Sequence, residues 1–151
     1  MTELTTPRFG TIEFNADDLV TFADGLIGFP ETKKFLILQH KEGSPFRWLQ
    51  SVEEPNLAFL IVDPLTYCAD YSPQVNATSV ASLELLEETP HLVYTIVTIP
   101  KGKPSDMTLN LAGPLVINAV NRKAMQVVLD DPKWPLKYAV QRAPAQDSIA
   151  A

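Results

Sequence analysis

The chain has 151 residues, 46% of them hydrophobic and 20% charged, with a formal net charge of −6. A chain of this size buries about 68–70% of its unfolded surface, enough for one substantial core. A surface of net negative sign repels phosphate backbones, which argues against direct nucleic-acid binding and favours a basic protein partner.

The first ten residues, MTELTTPRFG, contain no apolar run and do not read as a signal peptide. Leu57 to Val62 is the longest aliphatic and aromatic run, far short of the ~20 residues of a membrane helix. A lone cysteine, Cys68, allows no internal disulfide and fits a reducing compartment. These features predict a cytoplasmic protein with no membrane contact.

Residues 1–7 are polar and read as a flexible N-terminus. From Arg8 to Phe14 the chain alternates, with Phe9, Ile12 and Phe14 apolar, as a first strand does. Asp17 and Asp18 mark a turn, and Leu19 to Phe22 a second strand. Ala23-Asp24-Gly25 is a tight-turn signal, and Gly25 and Gly28 then bracket Leu26 and Ile27. GLIGF reads as a structural turn packed by Phe29, because the helix that a phosphate cradle requires does not follow. Glu31 to Lys34 is expected to make one helical turn after Pro30. Phe35 to Leu38 reads as a strand ending at His40, Lys41 to Pro45 as a loop, and Phe46 to Ser51 as a strand. Beyond the acidic turn at Glu53 to Asn56, Leu57 to Val62 is apolar on both faces and therefore central.

Leu65 to Pro73 has no sustained period and reads as a surface loop. Ser79 to Glu88 places Val80, Leu83 and Leu86 at helical spacing, stopped by Thr89-Pro90. Leu92 to Ile99 is a β-branched strand. Met107, Leu109 and Leu111 then alternate with Thr108, Asn110 and Ala112, which puts one face on a core. Gly113-Pro114 breaks that ladder, as a bulge, an edge position or a barrel corner would. Leu115 to Ile117 resumes the strand. Asn118 to Lys123 is a connection in which Asn121 suits a left-handed turn position, and Ala124 to Leu129 returns. Pro132 and Pro135 forbid regular structure around Trp134. Residues 141–151 are small and polar, and read as a disordered tail. The sum is a mainly β, single barrel-like domain over residues 8–140, with about eight or nine short strands and one or two short helices.

Convergent catalytic groups are scarce. His40 and His91 lack partners at metal-ligand spacing, and Cys68 carries no nucleophile signature and reads as a small, partly buried apolar residue. Asp130 and Asp131, if still on a strand, point to opposite faces, so a solvated turn suits them better. No enzyme activity, metal or cofactor is expected. Partner-binding candidates are Tyr67, Asp70 and Tyr71, an aromatic and acidic set of interface type. Asn118, Asn121 and Arg122 at the connecting turn, and the carboxylates of Asp130 and Asp131, complete the set.

TLNLAGPLVIN (Thr108 to Asn118) followed by NRKAMQVVLDD (Asn121 to Asp131) resembles the C-terminal half of the flagellar assembly factor FliW family. GLIGF, WLQS (Trp48 to Ser51), PNLAFLIVDP (Pro55 to Pro64) and VTIP (Val97 to Pro100) match it in the same order, so the resemblance spans residues 8–138. It implies a strongly bent mixed sheet that nearly closes, and a non-enzymatic protein that is monomeric when free. The partners it implies are flagellin and CsrA, a small basic repressor of flagellin mRNA antagonised without competition for its RNA site. The alternative is a secretion chaperone that holds flagellin alone. Two departures stand out. Ile27 occupies a position where the family often has proline, which implies a less rigid turn. Trp134, Lys137 and Tyr138 replace tyrosine, arginine and histidine, which bears on partner affinity.

Overall fold

Alternation along two neighbouring segments decides the architecture. In Phe46–Ser51 and Ala58–Val62, odd-numbered Leu49, Phe59 and Ile61 face one cluster while even-numbered Phe46, Trp48, Leu60 and Val62 face another. Successive strand residues point to opposite faces, so these strands bury both. The computed structural model describes residues 2–39 and 41–140. In chain order its elements are β1 (Thr2–Thr6), β2 (Gly10–Phe14), β3 (Val20–Phe22), β4 (Lys34–Gln39), β5 (Phe46–Ser51), β6 (Ala58–Val62), α1 (Ala77–Ser82), β7 (His91–Thr98), β8 (Thr108–Leu109), β9 (Leu115–Asn118), β10 (Lys123–Gln126) and β11 (Tyr138–Ala139).

Strands β3 to β7 form an antiparallel meander. The sheet continues from β3 to β10 in parallel, then antiparallel to β9. Pairing of β9 with the first half of β7, His91↔Asn118 to Tyr94↔Leu115, closes a seven-stranded mixed barrel. The second half of β7 pairs with β8 instead, Val97↔Leu109, and β11 extends that edge. Gly113-Pro114 sits where the chain passes from β8 to β9 along β7. The ladder break is therefore a barrel corner: Asn110 Oδ1 accepts the Gly113 N–H at 2.9 Å, and the Pro114 carbonyl accepts from Val127.

Val20, Phe22, Phe35, Leu49, Ile61, Leu115 and Ile117 fill the barrel interior. Outside it, Phe46, Leu60, Val62 and Val97 are covered by Cys68, Tyr71, Met107, Leu109, Leu111 and Trp134. A third cluster, Leu83 on Val116 and Val127, seats the end of α1 on the outer face of β9 and β10. Met107, Leu109 and Leu111 are all buried, in agreement with their alternation.

Three expectations change, and one strand carries no sequence signal. Thr2–Thr6, which reads as a loose end, pairs in full register with β2, and the Arg8 guanidinium lies 3.9 Å over the Trp48 ring, tying the hairpin tip to the barrel. Glu31 to Lys34 makes no helical turn: the Glu53 carboxylate accepts from the Lys33 and Lys34 N–H groups at 2.6 and 3.0 Å, and β4 starts at Lys34. The helix expected over Ser79 to Glu88 spans Ala77–Ser82. The strand Tyr138–Ala139 has only two residues, too few for a readable period. His40 and the tail from Gln141 lie outside the described residues.

Candidate functional site

The first candidate stretch, Asp63 to Tyr71, turns inward where the sequence suggests surface. Asp63 caps a single 3-10 turn by accepting from the Leu65 N–H at 2.9 Å. Cys68 N–H then bonds the Pro64 carbonyl, and Tyr71 N–H bonds that of Cys68. Tyr71 is buried. Its phenol donates to the Leu111 carbonyl at 2.7 Å, and its ring meets Trp134 edge-on at 4.8 Å. Burial pushes that phenol well above the ordinary tyrosine range. Tyr71 thus corrects the expectation of an exposed anchor: it is a tie within the outer core. Tyr67 is half-buried with its ring against Phe46, and Asp70 is exposed.

Cys68 is buried, as expected of a small apolar residue, and its thiol donates to Asp70 Oδ1 at 3.3 Å. Burial first, and then the Asp70 carboxylate, push the thiol up. A nucleophilic cysteine is favoured by the opposite shift.

The second stretch is the β9–β10 connection. Asn118 is buried; its amide donates to the Leu83 carbonyl at 2.8 Å, while its Oδ1 accepts from Val120 and Asn121 N–H groups at 2.8 and 3.2 Å. One side chain thereby pins α1 to this turn. The left-handed residue is Arg122 (φ 66), not Asn121. Asn121 Oδ1 instead accepts the Lys123 N–H, bridging over Arg122, whose Nη2 donates to the Asp18 carbonyl at 3.0 Å. Asn121 remains exposed.

The same contacts explain why α1 stops early. Glu84 takes a left-handed backbone (φ 56); its N–H bonds the Ala81 carbonyl and the Leu85 N–H bonds that of Val80. These paired bonds are the Schellman helix ending, usually built on glycine. Leu86, expected at helical spacing with Val80 and Leu83, is consequently left outside the helix and exposed. Glu84 pairs with Lys123 across the gap.

At the third stretch, Asp130 and Asp131 are exposed and beyond β10, as a solvated end requires. Asp131 Oδ1 accepts the Lys133 N–H at 3.0 Å and shapes the turn before buried Trp134. The GLIGF turn is structural as read: Leu26 and Phe29 exchange both backbone hydrogen bonds, and Gly28 has φ +89. A Cβ on Gly25 would meet the Phe29 carbonyl oxygen at 2.4 Å, so only glycine fits. Ile27 occupies the corner where the resemblance implies proline, and its N–H, which proline lacks, donates to Gln126 Oε1 at 2.9 Å. That bond restrains the turn in proline's place.

Residue-type reasoning missed Leu86 and Val120, which line a groove beside Pro90. A signal was present: Val120 is an aliphatic residue in an otherwise polar connection. Among the described residues no helix is long and apolar enough to cross a membrane.

A model of the FliW protein family matches residues 3–140. The chain is 40% identical over 136 residues to a flagellar assembly factor FliW of Magnetococcus marinus, covering 89% of this chain and 84% of the relative. A flagellar assembly factor FliW of Natranaerobius thermophilus is 38% identical over 136 residues, covering 90% of each. The crystal structure of a flagellar assembly factor FliW superimposes with a TM-score of 0.85 at 33% identity, covering 91% of this chain and 96% of that one.

Proposed function

We propose a partner-exchange role for this chain, which belongs to the FliW family of flagellar assembly factors. On this reading it binds, in the cytoplasm and as a monomer, either flagellin or a CsrA-type regulator that represses flagellin mRNA. Export of flagellin frees the chain to bind the regulator and lift repression. The two partners must exclude one another for the switch to work.

The observation that carries the reading is charge. The chain has a net charge of −6, and Asp70, Asp130 and Asp131 are exposed. Docked beside a basic RNA-binding surface, such a body adds negative potential where phosphates must arrive. Within a Debye length, about 8 Å at physiological salt, this weakens RNA binding without occupying the RNA site. Linkage then requires RNA to weaken this chain's binding by the same factor. Tyr71 and Asn118 have their polar groups committed inside the fold, so the proposal keeps Tyr67, Asp70, Asn121, Arg122, Asp130 and Asp131 as contact candidates.

Titration calorimetry of the purified chain against a CsrA-type regulator and against flagellin is the test. Heat with each, and suppression of the regulator's heat by prior flagellin, are expected. No heat with either overturns the role, and heat with flagellin alone points to a secretion chaperone. Replacing Asp70, Asp130 and Asp131 together by Asn should slow association with the regulator mainly at low salt.

A further inference from the structure

Where the turn after α1 meets the β9–β10 connection, a groove of about 510 Å³ is lined by Leu86, Glu87, Glu88, Thr89, Pro90 and Val120. Leu86 is 77% and Val120 70% exposed. Single exposed aliphatics need no explanation. Two that line the same groove, on backbone held in place, are a different matter.

Both walls are preorganised. The Schellman ending fixes the chain leading to Leu86, and the Thr89 hydroxyl accepts the Leu86 N–H at 2.9 Å. Asn118 Oδ1 holds the Val120 N–H, and the Ala119 N–H bonds the Pro90 carbonyl. A ligand seated here would order little that is not already ordered, which favours affinity. A separate cleft of about 320 Å³ is lined by Asp63, Leu65, His91 and Leu92 among others.

The rim settles the sign of the occupant. Glu87 and Glu88 face no cation at ion-pair distance among the described residues, and Lys123 is already engaged by Glu84. A second copy of this chain would set the same carboxylates, on a body of net charge −6, against each other. Nucleic acid is disfavoured by the same argument.

From this charge pattern we infer that the groove is the docking site for an amphipathic protein segment carrying aliphatic side chains flanked by lysine or arginine. The inference rests on the partner-exchange reading, and within it assigns the groove to the basic regulator and not to flagellin. Aliphatic anchors seat between Leu86, Pro90 and Val120, and the flanking cations meet Glu87 and Glu88 at the rim.

Three full-length proteins test it: wild type, Leu86→Ser with Val120→Ser, and Glu87→Lys with Glu88→Lys. Each is titrated against purified CsrA-type regulator and against flagellin, with thermal melts and sedimentation run in parallel. Because all four side chains are exposed, unchanged melting is expected. The serine pair should weaken regulator binding about tenfold or more, and the lysine pair should slow its association most at low salt. Flagellin binding should stay within about twofold, a change too small to mark a lost anchor. If wild type binds the regulator and both variants bind it equally well, the groove assignment is overturned while the partner-exchange role stands. Loss of flagellin binding instead, or a wild-type dimer abolished by the serine pair, also overturns it. Wild type binding neither protein removes the role itself, and the groove assignment with it.

Discussion

Strands β5, β6 and β7 bury both faces, and the two cores differ in how their other halves arrive. Inside the barrel, Leu49 and Ile61 meet Phe22, Phe35, Leu115 and Ile117, which are strand residues placed by alternation. On the outside, Phe46, Val62 and Val97 meet Cys68, Tyr71 and Trp134, carried on connections without any period. Burial and regularity are therefore separable. A sheet face left bare by the strands around it is covered by the chain's own loops, and it is not available to a partner. Where α1 ends early, Leu86 is left exposed, and Val120 with it.

If the loop-built cover is as well fixed as the barrel interior, deleting an aromatic from either should cost the same. Phe35→Ala and Trp134→Ala are each expected to destabilise by about 3–5 kcal/mol in urea unfolding. A Trp134 cost near zero, with Phe35 in range, would show the cover to be a loose flap. A smaller perturbation separates packing from hydrogen bonding in that cover. Tyr71→Phe keeps the ring on Trp134 but leaves the buried Leu111 carbonyl without its phenol donor, for an expected loss of about 1–3 kcal/mol. An unchanged stability would mean that the Leu111 carbonyl finds water in place of the phenol.

The same contrast explains what the sequence makes legible. The buried face of Met107, Leu109 and Leu111, the central position of β6 and the ladder break at Gly113-Pro114 follow from period and proline chemistry, both local signals. The choice of a corner over a bulge or an edge comes from the pairing of β8 and β9 along β7. Resemblance to the FliW family supplied the closed mixed sheet, which periodicity alone leaves undetermined. Tyr71 looked like a surface aromatic because its burial depends on Leu111 and Trp134, far away in the chain. Arg122 took the left-handed position expected of Asn121 because two asparagine side chains and Asp18 jointly over-determine the turn. β1 was invisible because its partner, not its own composition, makes it a strand. Leu86 had the spacing of a buried helical residue. The event that exposed it, a helix ending on Glu84 under the Asn118 amide, lies 34 residues from Asn118 in the chain.

That ending gives a third, smaller test, on the cover that α1 provides for β9 and β10. Glu84 holds a left-handed backbone, which costs an L-residue about 1–2 kcal/mol, against an exposed Lys123 pair that returns about 0–1 kcal/mol. Glu84→Gly should therefore raise stability by about 0.5–1 kcal/mol if the backbone term wins. A loss of stability would show that the Lys123 pair, and not the Schellman bonds, keeps this cover in place.

The smallest effect expected belongs to the clasp that starts β4, the strand bringing Phe35 into the inner core. Backbone N–H groups of Lys33 and then Lys34 hold the Glu53 carboxyl below its ordinary 4.5. A lowered folded-state value means that the unfolded chain binds the proton more readily. The stabilisation is thus complete above about pH 5, just past the unfolded carboxylate range, and is lost as pH falls through the folded value. Glu53→Gln removes the charge but keeps an acceptor oxygen. Its melting temperature should lie slightly below wild type at neutral pH, and the gap should close below the ordinary carboxylate value. A gap that stays constant to low pH would mean that the carboxylate acts through shape alone, and that the inner core needs no charge at its edge.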